Sequence, residues 1–373
     1  MAHSAYVHIP FCASKCDFCD FAVVVGRDGL IGDYCRTVCL EIAGRTRAST
    51  AAGRLASVFY GGGTPGYIPV ADLRLIHDAL EKATGIAADA EITLETTPET
   101  VTPANARGWL QLGVNRLSIG VESLDDTVLA AAGRKGSRQA ALGAIEAALQ
   151  AGFANVSCDL MYGLPGQTLE NWVATLAETL SYPIQHLSAY GLALAPGSPL
   201  LSRYPPGDGA YPGEDLYLAM YEQLVAITGQ HGFVHYEISN FSRPGFQSRH
   251  NLTYWDNEEY YGFGLGAHRY VEGLRSSNFR SLPRYMRDYL SNDLEERIDA
   301  CTRAREAIFL GLRKRAGIDL AAFRARYGMD LLQSHGSTVE RLGSLDLLEL
   351  VDGHLRLTQQ GILVSNTIMS EFM

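Results

Sequence analysis

Between residues 4 and 192 six apolar runs, each with a polar or Gly-Pro signal, alternate with stretches of helical spacing. The runs lie at 4–9, 57–60, 91–96, 116–122, 155–162 and 186–192, and helical spacing covers 33–42, 70–83, 104–112, 125–132, 138–151 and 169–180. Gly113 and Gly152 close two of the helices, as a glycine after the last turn should. Strands alternating with helices predict a parallel sheet built from βαβ units. Their hydrophobic interiors fit burial on both faces. Six units are two short of a closed eight-unit ring, so the expected α/β fold is an incomplete (β/α)6 TIM-like barrel. Each run carries its Gly, Pro, Glu, Arg or Asp signal at or just beyond its C-terminal end, the rim where barrel folds build function.

The first loop on that rim holds three cysteines. Pro10 ends the first run, and Cys12, Cys16 and Cys19 follow with C-x-x-x-C-x-x-C spacing. Three thiolates on one short loop suit three irons of a cubane [4Fe-4S] cluster, which leaves the fourth iron open to an exchangeable ligand. In radical-SAM enzymes that ligand is S-adenosylmethionine. The competing reading is a zinc knuckle or buried thiols, but zinc sites usually close with four ligands in paired C-x-x-C units, and no second pair follows. The seven cysteines are an odd count, which fits a reducing compartment better than a disulfide scaffold. Cys35 and Cys39, four apart in a helical stretch, read as small buried hydrophobes, and Cys158 reads as core.

Gly61-Gly62-Gly63-Thr64-Pro65 ends the second run and brings bare backbone close to something small; exposed N–H and C=O groups suit the amino and carboxylate ends of a methionine moiety. Glu95, Glu122, Arg134 and Asp159 are charged residues at or near strand ends. Singly they read as rim salt bridges or helix caps; together they suit the ribose, ammonium and carboxylate of S-adenosylmethionine. Tyr6 and Phe18 flank the cysteine loop, within reach of an adenine ring. His250-Asn251-Leu252-Thr253-Tyr254-Trp255 sets an imidazole beside an amide and two aromatics, a set that suits haem, although a lone loop histidine is more often a hydrogen-bonding structural residue.

Hydrophobic content of 47% and charged content of 19% mark a globular protein, and no apolar run approaches the roughly 20 residues of a membrane span. No signal-peptide pattern precedes the first run, so the expected compartment is the cytoplasm. A net charge of −10 argues against nonspecific nucleic-acid binding. From residue 300 the pattern turns to amphipathic helices at 302–311, 320–327 and 331–342, then a hairpin turning at Asp352-Gly353. These suggest a small α-rich winged-helix-like C-terminal domain of about 75 residues. The expected division is 1–290 for the barrel with its extension and 296–373 for this domain.

These motifs together resemble the radical-SAM HemN/HemW family, which holds oxygen-independent coproporphyrinogen III dehydrogenase and the haem chaperones. The resemblance is carried by YVHIPFC with the three cysteines, GGGTP, ITLETTPE, GVNRLSIGVES, CDLMYGLPGQT, LSAYGLALAPGSPL, YEISNFSRPG, HNLTYW and GLGAH, in family order. Three features are similar to the chaperones. Phe21 stands where the dehydrogenase has a further cysteine, the long N-terminal extension is missing, and HNLTYW matches a motif linked to haem binding. The resemblance implies Cys12, Cys16 and Cys19 as cluster ligands and Tyr6, Phe18, Gly62, Gly63, Thr64 and Glu95 as contacts to S-adenosylmethionine. Arg134, Asp159, Ala193 and, more remotely, His268 match residues that contact adenosylmethionine in the dehydrogenase. Glu122 replaces a usual glutamine and Gly136 a frequent histidine, so a second adenosylmethionine is not expected. The implied function is a haem chaperone that binds haem as cargo, with His250 as candidate ligand, and delivers it to apo-haemoproteins such as respiratory enzymes. Membrane-associated recipients and a homodimer are both compatible with it. The alternatives are oxidative decarboxylation of coproporphyrinogen III by a radical-SAM enzyme and a zinc-bound binding module.

Overall fold

The computed structural model describes residues 2–46, 53–194 and 196–373. Its parallel strands are β1 (Ser4–Ile9), β2 (Leu55–Gly62), β3 (Ile86–Thr96), β4 (Arg116–Glu122), β5 (Val156–Tyr162) and β6 (His186–Gly191). The helices α1 (Ile31–Thr46), α2 (Val70–Thr84), α3 (Pro103–Leu112), α4 (Arg138–Ala151) and α5 (Leu169–Ser181) connect them, with a short helix Asp126–Ala131 ahead of α4. Hydroxyls of Thr102, Ser137 and Thr168 cap α3, α4 and α5. Gly113 and Gly152 end α3 and α4 in the left-handed conformation.

Three strands extend the sheet beyond the six that the sequence shows. After helix α6 (Glu214–Gln230), β7 (Val234–Glu237) and β8 (Asn240–Ser242) add an antiparallel hairpin to the β6 edge, and β9 (Tyr261–Phe263) runs parallel to β1 at the other. The order is β9-β1-β2-β3-β4-β5-β6-β8-β7, with β9 and β7 at opposite ends and not paired to each other, so the barrel stays open.

Outward-facing Val7, Val58, Leu94, Ile119, Cys158 and Leu187 pack into the core beneath the helices. The inner face is partly to fully buried, and it is largely polar. Following paired residues across the sheet, Tyr6, Phe59, Thr93 and Arg116 form one inward row. Glu95, Ser118, Ser157, His186 and Ser242 form the next, then Gly120, Asp159, Ser188 and Asn240. This corrects the expectation of apolar strands on both faces: side chains alternate across a strand, so five inward positions in a row can be polar without disturbing the outer core. Helix α7 (Arg249–Trp255) closes the N-terminal end of the lumen, the Glu91 carboxylate accepting from the backbone N–H groups of Arg249 and His250, both at 3.1 Å.

Beyond residue 298 come α8 (Ala300–Gly311), α9 (Leu320–Tyr327) and α10 (Leu331–Ser344) and a three-stranded sheet of Ile318–Asp319, His354–Leu357 and Leu348–Val351. Its core is continuous with that of the barrel. It grips α7 and the hairpin: Arg313 stacks 4.3 Å from the Trp255 ring, Ile238 N–H donates to the Arg313 carbonyl at 3.1 Å, and Lys314 pairs with Asp256. No helix among the described residues is long and apolar enough to cross a membrane.

Candidate functional site

The cysteine loop leaves β1 at the C-terminal rim, as its sequence position predicts. Cys12 is buried, and Cys16 and Cys19 are half-buried. The Thr64 hydroxyl donates to Cys12 Sγ at 3.4 Å, and Arg134 Nη1 donates to Cys16 Sγ at 3.4 Å. Burial pushes all three thiols up; Thr64 opposes this at Cys12 and the Arg134 charge at Cys16. At Cys19 a backbone N–H opposes it instead. Each of these compensations favours a thiolate, the form that binds metal. Among the described residues no three metal-ligating side chains converge on one point.

The glycine turn packs directly beneath this loop. A Cβ on Gly63 would lie 2.6 Å from the Pro10 carbonyl and 2.9 Å from Cys12 Sγ; one on Gly61 would meet Tyr6 at 2.8 Å and Glu95 at 3.0 Å. These glycines are therefore required by the protein's own packing as well as by any ligand above them. Gly62 takes φ +115° and donates its N–H to Glu95 Oε2 at 2.9 Å.

Glu95 and Glu122 end β3 and β4 at the rim, and burial raises both carboxyls to about 7. Glu122 sits at φ +65°, at an irregularity in the β4–β5 pairing that turns its side chain back toward Gly120 and Arg134. Arg134 bridges this carboxylate and the cysteine loop, with Nη2 donating to the Gly120 carbonyl at 2.6 Å. Asp159 is not at a strand end. It is the fourth residue of seven in β5, in register with Gly120 and Ser188, held by Ser118 at 2.9 Å and raised by burial. Two further lumen groups escaped the sequence reading: Thr93 Oγ1 and Arg116 Nε are buried without a hydrogen-bond partner. Alternating polar residues in each run were the available signal.

Tyr6 points into the lumen, stacked 6.1 Å from Phe59, with its hydroxyl 3.1 Å from His8 Nδ1. Phe18 packs across the rim with Val128, Met161, Leu164 and Leu192. Ala193 is exposed in the loop after β6, and His268 is exposed at the start of the strand His268–Val271. His250 is elsewhere: buried at the lumen floor, Nδ1 on Ser57 Oγ and Nε2 on the Tyr254 hydroxyl, both at 2.9 Å, its ring 5.1 Å from Phe59. Burial lowers its pKa to about 3. Both nitrogens are engaged in hydrogen bonds, the role a histidine outside a metal site commonly takes.

A loop of three thiols, a cation beside one of them and carboxylates that favour a positive ligand make a rim suited to a cluster and a sulfonium compound. Residues 6–178 match the Radical SAM superfamily, and residues 298–364 match the HemN C-terminal domain. The "Heme chaperone HemW" of Bacillus subtilis is 34% identical over 99% of this chain and 99% of its own. That of Lactococcus lactis is 31% identical over 100% and 97%. The chain belongs to the HemW family. Its cofactors as a radical-SAM protein are a [4Fe-4S] cluster and S-adenosylmethionine. The structure of Escherichia coli coproporphyrinogen III oxidase (HemN) superposes with a TM-score of 0.86, covering 99% of this chain and 89% of that one at 22% identity, a likeness of fold.

Proposed function

We propose that this protein is a haem chaperone of the radical-SAM type, which binds haem as cargo and passes it to apo-haemoproteins, respiratory enzymes among them. The observation that carries this reading is likeness to the HemW chaperones along essentially the whole chain. Cys12, Cys16 and Cys19 hold the cluster in this reading. Gly62, Gly63, Thr64, Glu95, Glu122 and Arg134 line the adenosylmethionine site, with Tyr6 and Phe18 as its aromatic walls and Asp159 and Ala193 at its margins. The cluster, when reduced, supplies one electron at the rim. Arg134 lowers the local negative charge, and the Glu95 and Glu122 carboxylates become ionised when a cation lies against them. The protein acts in the cytoplasm and meets membrane-bound recipients peripherally. Its working units are 1–290 and 296–373.

The test is anaerobic. Reconstituted protein is given coproporphyrinogen III, S-adenosylmethionine and reductant, and separately haemin followed by an apo-cytochrome. Haemin uptake and transfer without release of carbon dioxide is the expected result. Decarboxylation to protoporphyrinogen would replace the chaperone reading with that of an enzyme.

A further inference from the structure

A haem chaperone needs a ligand for haem iron, and His250 is buried at the lumen floor with both ring nitrogens hydrogen-bonded. The chain has ten histidines, all described. Nine of them hold a hydrogen bond on at least one ring nitrogen: His3, His8, His77, His186, His231, His235, His250, His335 and His354. His268 holds none and is exposed. The other exposed histidine, His3, precedes β1 at the opposite end of the barrel, where its ring meets the Arg54 carbonyl.

His268 stands beside the cysteine loop. Its strand pairs His268 with Ser277, and Asn278 N–H donates to the Ala267 carbonyl at 2.9 Å, which brings Phe279 and Arg280 next to Gly266. Arg280 Nη2 then reaches the Asp20 carbonyl at 3.0 Å, and a Cβ on Gly266 would touch that of Ala22 at 3.6 Å. Phe21, between Asp20 and Ala22, keeps 59% of its surface in solvent. Partial burial and the guanidinium groups of Arg275, Arg280 and Arg269 lower the His268 pKa, which keeps the imidazole in its neutral, ligating form. Arg269 is bound to Asn278 and Asn292, and Arg275 is paired with Glu306. Arg280 is exposed and has only the Asp20 carbonyl, so it retains donors for an incoming carboxylate.

A free imidazole, an exposed aromatic ring and a cation with donors to spare match the three chemical parts of haem: iron, apolar macrocycle and propionates. Resting on the chaperone reading above, we propose that haem docks on the outer rim beside the cluster loop. His268 is its axial ligand, Phe21 lies against the macrocycle and Arg280 binds a propionate. The cargo would then sit next to the [4Fe-4S] cluster and outside the adenosylmethionine site.

The experiment titrates anaerobically reconstituted full-length protein with haemin and with its dimethyl ester, following the Soret band and the low-spin ferric EPR signal. His268→Gly is expected to lose the low-spin signal and bind haemin roughly tenfold more weakly or worse, with added imidazole restoring the signal. Arg280→Gln is expected to weaken haemin binding, keep its coordination spectrum and leave the dimethyl ester unaffected. A His268→Gly protein with wild-type spectrum and affinity overturns the proposal, as does loss of the signal only in a folded His250→Ala protein. Wild-type protein that takes up no haemin overturns the chaperone reading itself.

Discussion

Glu95 offers a direct measure of how dry the lumen is. Its carboxyl stands at about 7 against an ordinary 4.5, chiefly through burial, with Asp159 adding to the shift and the Gly62 N–H opposing it. A difference of 2.5 units at about 1.36 kcal/mol each is a penalty of about 3 kcal/mol for the ionised form. Below 4.5 the carboxyl is protonated whether the chain is folded or unfolded, and the penalty is absent. Between 4.5 and about 7 unfolding releases a proton, so stability falls as pH rises; above that range the full penalty stands. Glu95→Gln stays neutral throughout and still accepts from Gly62. In denaturant titrations without adenosylmethionine, the variant should match wild type at about pH 4 and exceed it by up to about 3 kcal/mol at about pH 8. It should also bind adenosylmethionine more weakly, having lost the anion. A stability difference that is the same at both pH values would refute the reasoning, because it would mean that Glu95 is solvated.

Serine at Cys12, Cys16 or Cys19 should abolish the cluster's iron and sulfide content after reconstitution, whereas serine at Cys39 or Cys301, away from the loop, should not. Arg134→Gln removes the cation 3.4 Å from Cys16 Sγ, so the cluster should become harder to reduce, read as a more negative midpoint in redox titration. His250→Ala leaves the Ser57 and Tyr254 hydroxyls short of a partner around a new cavity, and should destabilise the fold by about 2–4 kcal/mol in chemical denaturation.

Much of this was legible in the sequence. The six strands and their helices follow from periodicity and glycine caps, and the cysteine spacing placed the cluster loop on the C-terminal rim. Three things were not. β9 is the three residues Tyr261–Phe263, too short for any pattern to emerge, and it exists because the β1 edge is open to receive it. Asp159 falls among the charged residues at or near strand ends when the sequence alone is followed, yet register with Gly120 and Ser188 sets it in mid-strand. His250 could be assigned only once it was known which side of α7 faces Ser57. That is a tertiary fact, since an imidazole in a short helix offers no local sign of burial.

The grip of the C-terminal unit on α7 has a consequence for chemistry at the far end of the barrel. Arg313 on Trp255, Lys314 on Asp256 and the Arg313 carbonyl on Ile238 hold in place the hairpin and the helix that closes the N-terminal end of the lumen. The acid strengths of Glu95, Glu122 and Asp159 depend on that seal, because burial is the first cause of each shift. A chain ended near residue 298 would keep every rim residue and lose their electrostatic setting: water admitted through the floor would return the carboxylates toward ordinary acidity. A chain ended there is therefore expected to show all three carboxyls nearer their ordinary values, although no group of the C-terminal unit is among the main causes of their shifts.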